Sequence, residues 1–341
     1  MGKSAEKAPA QNNQPQHSFT AGVILILISS MIISFQNIIT RVILSEKTIL
    51  GVWKTGGFLT PSMGNSILIL VMRMLIGLPI LAFIVAPKIY KQTWPDLKNL
   101  KNVENRTKLY ASLASGLFLF LSSFSIYLAL GSIPTGVATT IFFIYPTITI
   151  LLLWLAFGEK PALSLVFAMA TIYLGGFLTI PEASFSARGE SNILLGASAA
   201  AISGITFAGY VIMIRIAKMH PAPFSIVSFT IILILGSLML PLFDWQVEPH
   251  QRVPLFIATV ALAATTLFGY LLNNFGVPII GPALTSVISA SGPAITALFA
   301  LVIIDEKLTL HQVIGVSLVT LWVIGISVEN LKKAIPPKPT K

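Results

Sequence analysis

Polar side chains recur at helical spacing inside otherwise apolar stretches of this sequence, and four such sets are suited to line a solute site. Ser30, Ser34 and Asn37 precede Arg41 on one stretch; Thr266, Tyr270 and Asn273, with Asn274 beside them, lie on another. Ser203, Thr206 and Tyr210 form a third set, and Thr285, Ser289 and Thr296 a fourth. Steps of three and four residues put each set on one face of a helix. A Ser or Thr in such a stripe has a second use, since it bonds back to its own helix and lets neighbouring helices approach closely. The larger groups are the stronger pointers, because an amide or phenol facing lipid is costly.

Arg73 is the one ionisable residue set well inside an apolar stretch. A charge at membrane depth costs about 2.5–3.5 kcal/mol on insertion scales, so it marks a functional position by default. Its fork of donors suits a carboxylate or a phosphate; a side chain snorkelling to a helix end is the structural alternative. The candidate solute-binding set is Arg73, Asn37, Ser34, Tyr210, Tyr270, Asn273, Asn274 and Ser289.

No Asp, Glu or His falls in the interior of any expected helix, so a proton relay through a buried carboxylate has no residue to run on. Facilitated movement or solute exchange is expected instead. The chain has no His-Glu-x-x-His, no Gly-x-Ser-x-Gly and no Gly-rich phosphate loop. With no cysteine, disulfides and thiolate metal sites are excluded. No catalytic residue, metal or cofactor is expected, and an enzyme is disfavoured.

The elements that must hold these residues follow from composition. Of 341 residues, 55% are hydrophobic and 10% charged, against about 25% charged in a soluble domain. Runs of about 20 apolar residues, enough to cross a bilayer as a helix, recur along the chain. Helices are expected near 19–43, 64–86, 108–130, 133–156, 162–181, 191–215, 222–243, 253–276, 279–303 and 309–330, giving an all-α polytopic membrane protein of ten transmembrane helices. Residues 1–18 and 331–341 read as tails, the first too polar to order itself. The apolar run from Phe19 to Leu44 is too long for a signal peptide and should remain as the first helix.

The net charge of +10 does not form a nucleic-acid surface, because the basic residues sit in the short breaks between apolar runs. With the N-terminus inside, fifteen Lys and Arg fall on the inner side and six on the outer. That bias predicts cytoplasmic termini and fits a cell membrane. The inner loop from Pro87 to Thr107, with Tyr90 and Trp94, reads as an anchor on the inner leaflet.

The sequence also repeats. Ile133-Pro-Thr-Gly through Pro146 to Glu159-Lys160 can be laid on Ile279-Ile-Gly-Pro through Pro293 to Glu306-Lys307, with Pro146 and Pro293, Glu159 and Glu306 each 147 apart. Near the start the offset is 174, which pairs Gly22 with Gly196 and Arg41 with Arg215. Repeats over 19–181 and 191–330 with five helices each enter the membrane from opposite sides, so they are inverted. Inverted repeats support alternating access around a midplane site. Pro146 and Pro293 are expected as matched helix kinks.

The hairpins of helices 3–4 and 8–9, each with a mid-helix Pro and a Gly-Glu-Lys or Asp-Glu-Lys exit, resemble the EamA-type repeats of the drug/metabolite transporter superfamily. Arg73 followed by Met-Leu-Ile-Gly is similar to that family's Arg-containing second helix. The resemblance spans about residues 20–330 and implies export of amino acids and other small metabolites, or carriage of nucleotide-sugars and phosphorylated sugars. Two features depart from it: a long first outer loop, Ser45 to Met63, and a seventh helix with no counterpart of Arg73. One midplane arginine suits a divalent anion poorly. The expected function is alternating-access carriage of small neutral or zwitterionic, amino acid-like metabolites, in the export direction. Sugar-phosphate or nucleotide-sugar exchange is the alternative, followed by a channel or lipid flippase. The expected partners are a small solute and the lipid bilayer, with no nucleic acid; oligomeric state is left open.

Overall fold

The computed structural model describes residues 14–133, 135–160, 163–178 and 190–304, with single positions between 310 and 321. Long apolar runs become helices because a helix satisfies its own backbone where no water can. The first, α1, runs from Gln14 to Leu44 and so begins inside the stretch expected as a tail. After a hairpin come α2 (Met63–Pro79), which winds on through Ile80–Val85 into α3 (Ala86–Ile89), the short α4 (Thr93–Asn99) and α5 (Arg106–Ser132). Ser62 starts α2 as its cap, its hydroxyl accepting from the Asn65 amide at 3.1 Å.

Next follow α6 (Thr135–Phe142), α7 (Tyr145–Phe157), α8 (Leu163–Leu178), α9 (Glu190–Ala217), α10 (Pro221–Met239), α11 (Arg252–Ile280), α12 (Pro282–Ser289) and α13 (Gly292–Ile303). Among the described residues, eight helical stretches are long and apolar enough to cross a membrane. The 16-residue α8 covers most of the expected fifth helix. The tenth, 309–330, and the Asp305-Glu306-Lys307 exit lie mostly outside the described residues.

Two expectations change. The loop from Ser45 to Met63 is not open chain: β1 (Glu46–Ile49) and β2 (Trp53–Gly56) pair antiparallel, so the described residues are helical with one small two-stranded sheet. Leu50, at φ 51°, and Gly51, at φ 69°, both take the left-handed conformation in the turn. The hairpin is tied to the end of α13 by the Leu50 amide, which donates to the Ile303 carbonyl at 2.8 Å. Second, helices 4 and 9 are each interrupted by a short turn. Pro146 and Pro293 lie in the first turns of α7 and α13, where a missing N–H is harmless. Each therefore opens a new helix after a short turn.

Packing repeats at the sequence offsets. The two most extensive helix interfaces are α5 with α9 and α1 with α11. In one, the Ser203 hydroxyl donates to the Ser122 carbonyl at 2.8 Å; in the other, Ser29 donates to the Gly269 carbonyl at 2.8 Å. Ser29 and Ser203 are 174 apart, and Ser122 and Gly269 are 147 apart. Close approach repeats as well: a Cβ on Gly22 would lie 2.6 Å from the Ile280 side chain, and one on Gly196 would lie 2.6 Å from Ile133. Both pairs keep the same offsets.

At the end of α9, Arg215 forms a paired ion bridge with Glu159, the residue after the Gly158 turn that closes α7. The arginine holds this carboxyl below its ordinary range. Both groups are part-exposed, so the bridge contributes little stability by itself.

Candidate functional site

A cavity of about 60 Å³ opens where α1, α2, α5, α9 and α11 surround the two helix breaks. On the same measure one water needs about 10–15 Å³, so the space suits a compact solute. Arg73 lies ten residues into α2, about 15 Å along its axis, and its side chain is 1% exposed. Its Nη1 donates to the Tyr127 hydroxyl at 2.5 Å and, at 3.4 Å, to Thr266 Oγ1. Thr266 in turn donates to Gln36 Oε1 at 2.9 Å. Arg73 thus joins α1, α2, α5 and α11 in one polar network.

The rest of the guanidinium has no such partner. Arg73 Nε and Nη2 are buried without a hydrogen bond, as are Asn273 Nδ2 and the hydroxyls of Ser30 and Ser123. All four residues line the cavity. Among the described residues no carboxylate pairs with Arg73. A buried donor left unpaired costs about 1–3 kcal/mol, and more when charged.

Of the residues expected from sequence, Arg73, Ser34, Asn37, Tyr270, Asn273 and Ser289 line this cavity. Ser34 also donates to the Gly292 carbonyl at 3.1 Å, fastening α1 to the second helix break. Tyr210 and Asn274 do not line it. Their side chains are spent on each other, Tyr210 donating to Asn274 Oδ1 at 2.5 Å while Asn274 Nδ2 donates to Ser225 at 2.8 Å. Among the stripe residues, Ser203 bonds across to α5 and Thr206 bonds back to its own helix, the packing roles open to any small hydroxyl. Pro146 and Pro293 act as helix starts beside the cavity residues Tyr145 and Gly292.

Spacing did not single out Gln36, Tyr127, Ser122 and Ser123, or the rings of Phe142, Phe143, Tyr145 and Phe207, all of which line the cavity. Gln36 carried a usable signal, being a large amide inside an apolar run. The phenylalanines carried none, since a ring against a cavity and a ring in a core look alike in sequence.

The networks around Gln36 and Tyr210 occupy matched positions, for Gln36 and Tyr210 are 174 apart and Tyr127 and Asn274 are 147 apart. One includes the Arg73 guanidinium. The other, completed by Ser225 of α10, is neutral.

Comparison with known proteins agrees with this architecture. A model of the EamA-like transporter family matches residues 194–328. The Uncharacterized transporter sll1319 of Synechocystis sp. is 36% identical over 322 residues, covering 92% of this chain and 94% of that protein. A crystal structure of a protein aligns with a TM-score of 0.61 over 94% of this chain and 99% of that chain. At 16% identity it speaks to the fold alone.

Proposed function

Because this chain belongs to the EamA-like transporter family, we propose that it carries small, carboxylate-bearing metabolites of amino acid size across the cell membrane by alternating access. The observation that carries this reading is Arg73, a charge buried at membrane depth with two donors unpartnered beside a cavity. An arriving anion would relieve the cost of those unpaired donors.

The recurring contacts of α1 with α11 and α5 with α9 support two inverted five-helix repeats. Such halves can exchange inward-facing and outward-facing shapes around a midplane site. The fifteen-to-six bias of basic residues supports cytoplasmic termini, and resemblance to exporters gives the direction. The broad expectation of neutral or zwitterionic solutes narrows to solutes with an acid group.

Counterflow in proteoliposomes tests the carrier. Preloaded amino or keto acids should accelerate uptake of the labelled compound saturably, and Arg73→Ala should abolish this. Non-saturable flux, strict dependence on a pH gradient, or full activity in Arg73→Ala would overturn the proposal.

A further inference from the structure

The polar atoms around the cavity ask for one kind of partner. Its unpartnered nitrogens, Arg73 Nε and Nη2 and Asn273 Nδ2, are all donors; the hydroxyls of Ser30 and Ser123 can serve in either sense. No carboxylate stands among the described lining residues, so the wall carries one positive charge and no negative one. Nε and Nη2 are also the two donors along one edge of the guanidinium, the pair that a carboxylate accepts side by side. Nη1, at the other corner, is already held by Tyr127.

Resting on the carrier reading above, we propose that the solute is a small monoanion: one carboxylate on a compact apolar body, with no ammonium group to be balanced. An ammonium is met best by a carboxylate, and none stands among the described lining residues. The rings beside the cavity pack against one another edge to face. Phe207 meets Tyr145 at 4.9 Å and 80°, and Phe142 meets Phe143 at 5.2 Å and 85°. They give the body of the solute an apolar wall. A phosphate's second charge would find no second cation.

The matched network in the other half argues that this excess of donors is not a by-product of the fold. Tyr210 and Asn274, at the positions matched to Gln36 and Tyr127, are held together with Ser225 by neutral hydrogen bonds. The architecture closes without a charge there, so the orphaned edge of Arg73 belongs to the solute.

Four compounds with matched four- or five-carbon bodies separate the possibilities: 3-methyl-2-oxobutanoate, valine, isobutylamine and isobutyl phosphate. Each is added to the purified protein in a thermal-shift assay and used as counterflow solute in proteoliposomes. The keto acid should raise the melting temperature and exchange at least about tenfold better than valine, the scale of one charge-assisted hydrogen bond. The amine and the phosphate should do neither. Arg73→Lys keeps the charge but loses the paired edge, so it should weaken the keto acid about tenfold or more on the same scale without improving valine. Asn273→Ala should weaken the keto acid while the protein still folds. Valine carried as well as the keto acid, or the phosphate carried best, overturns the monoanion assignment and leaves the carrier standing. Exchange of none of the four overturns both.

Discussion

Arg73 donates through Nη1 to the Tyr127 hydroxyl at 2.5 Å, and its guanidinium carbon stands 5.2 Å from the centre of the same ring. Tyr127 also borders a second cavity, with Pro61, Ser62, Ser66, Gly131 and Ser132. One side chain thus steadies the buried charge and forms part of the partition between two spaces. Tyr127→Phe keeps the ring and removes the acceptor, leaving a further charged donor unpaired. A loss of about 1–3 kcal/mol is expected, read by thermal denaturation in detergent; unchanged stability would contradict the role.

Ser29 and Ser203 make the same bond to a facing carbonyl in matched interfaces, and Ser203 adds a contact with the Ser122 hydroxyl at 3.1 Å. Ser29→Ala and Ser203→Ala should therefore each cost about 0.6 kcal/mol, the average for side-chain hydrogen bonds between membrane helices. Two costs that differ severalfold would mean that the offsets relate sequence but not energetics. Unfolding of both variants in mixed micelles measures this.

Gly64 and Gly77 lie on the same helix and should respond oppositely to alanine. A Cβ on Gly64 would fall 2.0 Å from the backbone carbonyl oxygen of Asp244, whereas the nearest atom to one on Gly77 is 3.6 Å away. Gly64→Ala forces backbone to move, at a cost of about 1–3 kcal/mol or more. Gly77→Ala should be neutral or stabilising by up to about 1 kcal/mol, the helix-propensity difference. Melting temperatures of the two variants, compared with the parent, decide it.

His220 gives the chain a pH dependence. Its ring stacks on Tyr90 at 3.8 Å, meets the Phe275 ring edge at 5.4 Å, and accepts the Ala222 amide on Nδ1 at 3.3 Å. Burial pushes its pKa below the ordinary 6.5, against a smaller opposing pull from Asp96. With the folded value depressed, the unfolded chain takes up the proton first. The contribution is fully present above about pH 6.5 and is lost as pH falls through the folded value. The melting temperature should drop between about pH 7 and 5, and His220→Asn, which retains a capping acceptor, should flatten that slope. An identical slope in the variant would assign the dependence elsewhere.

Much of the site was legible before folding was considered. A polar group inside an apolar helix must find a partner away from lipid, which is why Arg73, Asn37, Asn273 and Tyr270 could be named from their spacing, and all four border the cavity. Tyr210 and Asn274 passed the same test yet bond each other, because periodicity tells which residues share a face and not what that face meets. The turn before Pro146 shows the same limit: the residue announces a defect in the helix, while its neighbours decide how the helix resumes.

By itself the sequence determined the membrane class, since a low-charge chain with repeated apolar runs can satisfy its backbone only as lipid-embedded helices. It also carried the offsets of 174 and 147 at which similar residues recur. Tertiary structure alone decided that α1 lies along α11 and α5 along α9. It decided that the loop after α1 folds as a hairpin on α13. It decided, too, that of two matched networks only one keeps unsatisfied donors. Hydrogen-bond satisfaction depends on which distant helix supplies the partner, and distances of that kind are set by packing in three dimensions.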